Sequence, residues 1–169
     1  MTLAINTVVV KDANIIIDLI NGNLLEPWVE LGLVTLTTDM VVSELKRGSQ
    51  WNKISLLIAS KAIVTQDIPA TDIHHILALK RRFNVSIQDG SVLYLANSRG
   101  ARLLTGDRKL RIAAKHSNIE VSGILWVLDL LVSTKQVTAK RAFEGLKLII
   151  EHGARLPEDE VQTRLDRWG

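Results

Sequence analysis

Residues 5–14 read INTVVVKDAN, a short β-branched run that ends in an aspartate and, two residues further on, an asparagine. Val8, Val9 and Val10 favour a strand and show no polar alternation, the pattern of a central strand covered on both faces. Asp12 then stands just past the strand's carboxyl end, where open α/β sheets bind ligands. Residues 101–107, ARLLTGD, repeat the arrangement: a strand over 101–104 is followed by Thr105, Gly106 and a second aspartate, Asp107. Two acids at the same end of one sheet mark a candidate site.

Outward from these two stretches the chain alternates. The periodicity predicts helices over 15–20 and 24–31, a strand over 33–37 that alternates in burial, and a helix capped by Thr38 or Asp39 that runs to Arg47-Gly48. Beyond it follow helix 51–60, strand 62–65, helices 70–83 and 87–98, helix 108–116 and strand 119–121. Strands separated by helices imply a parallel sheet with right-handed crossovers, hence an α/β fold of three layers, α/β/α. From Leu125 onward strand signals disappear, and 124–133, 139–152 and 157–168 read as helices. The expected organisation is a sheet domain over 1–134 and a helical C-terminal extension over 135–169 packed on it. Val161, Leu165 and Trp168 form an apolar stripe on the last helix that needs a cover, either the core or a second copy of the chain.

The 169 residues fit one domain able to bury about 70% of the surface its unfolded chain exposes. With no cysteine there are no disulfides and no thiolate metal sites, as suits a reducing compartment. The start, MTLAINTVVVKD, lacks a basic flank and does not read as a signal peptide, and the apolar run 123–132 is broken by Asp129 and too short for a bilayer. A cytoplasmic protein without membrane contact is expected. The formal charge of +3 is compatible with a polyanionic partner and equally with an ordinary soluble surface.

Two more acids stand where a helix would bury them. Glu44 falls between Met40 and Val41 on the apolar arc of its helix, and Asp89 heads the stripe Val92, Leu93 and Ala96. Asp89 has no basic residue three or four positions away on its own helix and Glu44 has only Arg47, at the helix end, so a cation from elsewhere is needed, and a divalent metal shared by several carboxylates would satisfy all of them. Taken singly the acids have other readings. Asp12, Asp89 and Asp107 each sit near a helix start, where aspartate caps, and Glu44 could pair with a distant arginine.

Taken jointly, Asp12-Ala13-Asn14 after the first strand, Glu44 in Val41-Val42-Ser43-Glu44-Leu45, Asp89 opening a helix, and Thr105-Gly106-Asp107-Arg108 after the fourth strand resemble a PIN domain, over about Val8 to Leu128. The resemblance implies a metal-dependent ribonuclease like the VapC-like toxins of prokaryotic toxin–antitoxin pairs, although the long helical tail departs from the compact toxins. By position, Asp12, Glu44, Asp89 and Asp107 would bind Mg²⁺ or Mn²⁺, with Asn14 and Thr105 as neutral helpers. Hard oxygen ligands suit these ions, and the reaction implied is attack by water on an RNA phosphodiester, leaving a 5′-phosphate and a 3′-hydroxyl. A protein antitoxin or inhibitor and a homodimer are the implied partners.

Arg108, Arg111 and Lys115 share one face of the helix after Asp107 and could hold RNA phosphates or merely be solvated; Arg81-Arg82 and Lys46-Arg47 are similarly ambiguous. His74 and His75, adjacent on a helix, point about 100° apart, cannot clamp one ion and read as solvated. Two other functions compete: a PIN fold that regulates through protein contacts without cleaving, and a phosphoacceptor receiver domain. The receiver fold wants an adjacent acidic pair after its first strand and a lysine after its last, and this chain has Lys11-Asp12 and Ser122-Gly123 there.

Overall fold

The structure, a computed structural model, describes residues 7–10 and 14–169. Asp12 lies outside the described residues. Five strands, β1 (Thr7–Val10), β2 (Val34–Thr38), β3 (Val64–Gln66), β4 (Arg102–Leu104) and β5 (Val121–Ser122), form one sheet in the order β3-β2-β1-β4-β5 with every pairing parallel. The expected α/β class with a central parallel sheet is therefore what the chain adopts. In register, Val8 lies opposite Thr35 of β2 and Val10 opposite Leu104 of β4. The strand order reverses beside β1, so its carboxyl end and those of its two neighbours form the edge where α/β sheets bind ligands.

The chain folds as two compact units that are discontinuous in sequence, rather than dividing at one point. One holds β1 and Leu33–Ser122, the other Asn14–Gly32 and Gly123–Gly169. In the first, helices α3 (Asp39–Leu45), α4 (Trp51–Ala59), α5 (Ile73–Phe83), α6 (Ile87–Arg99) and α7 (Arg108–His116) accompany the strands, with a single 3-10 turn at Ala70–Asp72 before α5. Its core gathers Leu36, Val41, Val92, Leu93, Leu103 and Leu110, and Val92, Leu93, Leu103 and Leu110 are wholly buried. Each such side chain contributes about 1.5–3 kcal/mol by leaving water. Helix α6 is central, packing on β1, β2, β4, α3 and α5. The expected alternation of β2 is absent. Thr35, Leu36, Thr37 and Thr38 are buried in succession, as in a parallel strand covered on both faces, and the threonines are tolerated because their hydroxyls find partners: Thr37 Oγ1 donates to the Val10 carbonyl at 3.0 Å.

The second unit is all helical: α1 (Asn14–Asn21), α2 (Leu25–Glu30), α8 (Ile124–Ser133), α9 (Ala139–Glu151) and α10 (Glu158–Trp168). Helix α9 packs on α1, α8 and α10. Gly145 permits a close backbone approach, since a Cβ there would lie 3.0 Å from the Gly22 carbonyl oxygen and 2.7 Å from Leu24 Cδ1. Arg164 on α10 grips Asp129 on α8 bidentately, Nε to both carboxylate oxygens at 3.1 Å and Nη2 to Oδ2 at 2.5 Å. Val161 and Leu165 are half-buried and Trp168 is buried, so the stripe on the last helix finds its cover within the chain. Among the described residues no helix is long and apolar enough to cross a membrane.

Candidate active site

Three acids mark the carboxyl edge of the first unit. Asp39 is the first residue after β2, Asp107 follows β4 by three positions, and Asp89 lies in the first turn of α6, which leads back into β4.

A chain of hydroxyls fixes this edge. Thr38 caps α3: its Oγ1 accepts from Val41 N at 3.2 Å and lies 2.7 Å from Ser91 Oγ, which in turn donates to the Gln88 carbonyl at 2.7 Å. Ser91 spends its single proton on Gln88, so Thr38 is the donor between the two hydroxyls. Both residues are wholly buried. The result ties the start of α3, with Asp39, to the first turns of α6, with Asp89.

Asp89 is half of a capping box. The Ser86 hydroxyl accepts from Asp89 N at 3.0 Å, and Asp89 Oδ2 accepts from Ser86 N at 3.2 Å. Asp107 is the N-cap of α7, its Oδ1 accepting from Leu110 N at 2.7 Å and leaving Oδ2 outside that bond. Thr105, fully buried, sets the aspartate's approach: its Oγ1 accepts from Asp107 N at 3.1 Å, and its own N–H donates to the Ser122 carbonyl at 3.0 Å. Arg111 Nη1 donates to the Thr105 carbonyl at 3.0 Å, so its guanidinium is part of this scaffold rather than wholly available to a ligand.

The structure thus brings Thr105 and Asp107 together and holds Asp89's helix to the same edge. Glu44 differs from its expected place: it is exposed, not buried on the apolar arc. The buried arc of α3 centres on Val41, Val42 and Leu45, which leaves Glu44 about 100° from its middle on a helix of seven residues. Asn14 is exposed at the start of α1, in the other unit, and Arg108 and Lys115 are exposed on α7. His74 and His75 are both exposed as expected, yet their rings meet, with centroids 3.9 Å apart.

Asp39 is the residue the sequence reading passed over as a possible cap. Its Oδ1 is buried with no hydrogen-bond partner among the described residues, the kind of oxygen a bound cation satisfies. An acid immediately after a strand, as Asp107 nearly is after β4, was the signal available. Among the described residues no three histidines or acids lie close enough to hold a metal. The donor chemistry at this edge, hard carboxylate oxygens, is of the type that suits Mg²⁺ or Mn²⁺.

A polar pair stands further along α6. The Tyr94 hydroxyl donates to Asp72 Oδ2 at 2.6 Å, which holds the Asp72 carboxyl below its ordinary value and pushes the Tyr94 hydroxyl above its own. The His75 ring stacks on Tyr94 at 6.0 Å.

A five-stranded parallel sheet with acids fixed at its carboxyl edge defines an open-sheet α/β protein. A family model described as "DUF3368: PIN domain" matches residues 8–169, and the chain belongs to that PIN-domain family. Among solved structures it is similar to PAE2754 from Pyrobaculum aerophilum, with a TM-score of 0.56 and 17% identity over 78% of this chain and 92% of that one, a likeness of fold. No curated protein matches the chain.

Proposed function

We propose that this PIN-domain chain is a metal-dependent endoribonuclease working at the carboxyl edge of its sheet. The observation that carries the reading is the pairing of Thr105 with Asp107. A wholly buried threonine holds the aspartate's backbone while the carboxylate spends one oxygen on the α7 cap and leaves the other outside that bond. Asp12, Glu44, Asp89 and Asp107 would hold Mg²⁺ or Mn²⁺, with Asp39 near them and Thr105 as a neutral helper. Such an ion lowers the pKa of a water and neutralises charge developing on the phosphate in flight. The chain's own part is positional. The capping box fixes Asp89, the Thr38–Ser91 link keeps α6 against α3, and Arg111 braces the Thr105 carbonyl. A cytoplasmic toxin of a prokaryotic toxin–antitoxin pair, restrained by a protein inhibitor over this edge, is the setting that suits this chemistry.

The test is cleavage of an end-labelled RNA with Mg²⁺, Mn²⁺ or chelator. Asp12→Asn, Asp89→Asn, Asp107→Asn and Glu44→Gln should each lose activity without loss of fold, and the products should carry 5′-phosphates. Near wild-type cleavage by two of these four variants overturns the assignment. A second reading, a PIN fold that regulates by contact alone, draws on the carboxylates' structural use: Asp89 completes the capping box of α6, Asp107 caps α7 and Glu44 is exposed. Titration with Mn²⁺ separates the two, because the regulatory fold should show no saturable change in melting temperature.

A further inference from the structure

Charge is concentrated on two helices of the first unit. Helix α5, IHHILALKRRF, and helix α7, RKLRIAAKH, together carry seven lysines and arginines and no acid. The chain's formal net charge is +3, so all the rest of it sums to −4. Lys80, Arg81 and Arg82 in the last turn of α5 and Arg108, Lys109 and Lys115 on α7 are all exposed, and the ion pairs among the described residues involve none of them.

The two helices meet. The Phe83 and His116 rings lie 6.5 Å apart, centroid to centroid, and the Arg82 guanidinium sits 4.9 Å over Phe83. Arg82 therefore stands at the junction, with Lys80 and Arg81 in the same last turn of α5 and Lys115 in the last turn of α7, where two helix carboxyl ends supply only about half a negative charge each. Compensation of helix dipoles accounts for a fraction of this positive charge. The strip also borders the acids on both sides: α5 ends one short turn before the Ser86–Asp89 capping box, and Arg108-Lys109 directly follow Asp107.

We propose that the α5–α7 junction is the track that holds the phosphate backbone of an RNA strand as it leads away from the carboxyl edge, with Lys80, Arg81 and Arg82 as its far anchor. A row of exposed cations that form no ion pair among the described residues, beside an acidic edge, is what a polyanion needs in order to approach carboxylates that would otherwise repel it. The identity of the polymer rests on the ribonuclease reading; the track itself rests on the charge and the Phe83–His116 contact.

Binding of a fluorescent, unstructured 20-nucleotide RNA is measured by anisotropy in chelator at several salt concentrations, so that no cleavage takes part. Three proteins are compared: wild type, Lys80→Ala/Arg81→Ala/Arg82→Ala, and a control with the same loss of charge scattered elsewhere, Lys53→Ala/Lys140→Ala/Arg155→Ala. The junction variant should bind at least tenfold more weakly at low salt and lower the slope of log K against log salt by about 2, since each phosphate contact on a single strand contributes about 0.7. The control should lose much less. Because Arg82 covers Phe83, Lys80→Ala/Arg81→Ala is run as well, and it should show about two thirds of the change in slope with an unaltered melting temperature.

Equal losses in the junction and control variants, or wild-type binding by the junction variant, overturn the track. So does wild-type protein that prefers a polyglutamate peptide to the RNA, which would mark a surface for an acidic protein. The two readings fail separately. A wild type that binds through this junction yet never cleaves with Mn²⁺ drops the nuclease and keeps the track, and one that cleaves while the junction variant binds normally does the reverse.

Discussion

Thr38 and Ser91, separated by 53 residues in sequence, bring their hydroxyl oxygens to 2.7 Å of each other in a part of the molecule closed to water. The bond joins a helix cap to a helix side, so its loss is felt on two elements. Ser91→Ala removes one hydroxyl and leaves Thr38 capping Val41; Thr38→Val removes both the link and the cap. We expect about 1 kcal/mol lost in the first and about 2–3 kcal/mol in the second, from urea melts. Equal losses would mean that the cap contributes nothing.

Asp107 caps α7 and, on the proposed nuclease reading, also holds the metal, two roles that one pair of substitutions separates. Asparagine caps helices as well as aspartate does, so Asp107→Asn should keep stability within about 0.5 kcal/mol while abolishing metal-dependent cleavage. Asp107→Ala should lose activity and about 1 kcal/mol of stability as well. A destabilised Asp107→Asn would show that the charge, and not the cap geometry, holds the start of α7.

Gly90 faces the backbone of α5. A Cβ at that position would lie 2.9 Å from the Ile76 carbonyl oxygen, and a carbonyl in a packed helix cannot step aside as a side chain can. Gly90→Ala gains about 1 kcal/mol of helix propensity and loses about 1–3 kcal/mol to the clash, so a net loss is expected in thermal melts. A more stable variant would mean that α5 and α6 separate freely.

The Tyr94–Asp72 bond predicts a pH signature at both ends of the range. Asp72 is held below its ordinary value of 3.8, so its contribution is complete above that pH and is lost as the pH falls through the lowered value. Tyr94 is raised above 10.0, so the same bond contributes below pH 10.0 and is lost as the pH rises past the raised value. Tyr94→Phe should flatten both limbs of a plot of urea midpoint against pH. An unchanged acid limb would show that Asp72 is held by other groups.

Arg164→Lys tests the grip on Asp129. A lysine keeps the charge and loses the two-pronged geometry, and the arginine side chain is only 15% exposed. A loss of about 1–2 kcal/mol is expected from denaturant melts. No loss would reduce the pair to simple charge attraction.

What could be read from the sequence divides along the range of the interactions involved. Thr105-Gly106-Asp107 was legible because strand end, turn and cap are neighbours in the chain, and helix α7 falls at Arg108–His116 as the periodicity predicts. Glu44 was misplaced because the buried side of a short helix is decided by what packs on it, and no spacing rule contains that partner. The Thr38–Ser91 link joins elements 53 residues apart, and neither residue type signals the other. The consecutive burial of Thr35 to Thr38 was likewise hidden, since threonine in a strand ordinarily marks a half-exposed face. Asp39 was visible as an acid after a strand, but only the structure shows its Oδ1 buried and without a hydrogen-bond donor among the described residues.

The central place of β1 also sets a timetable for synthesis. Its Val10 pairs with Leu104, whereas β2, its other neighbour, follows soon after it in the chain. A chain emerging from the ribosome can zip β1 to β2 early, but β1 keeps one open flank until Arg102–Leu104 arrives, and Asp107 comes only after that. No nascent fragment ending before that point carries both Asp107 and the strand it follows, so the acids of this edge are assembled only after β4 has been made.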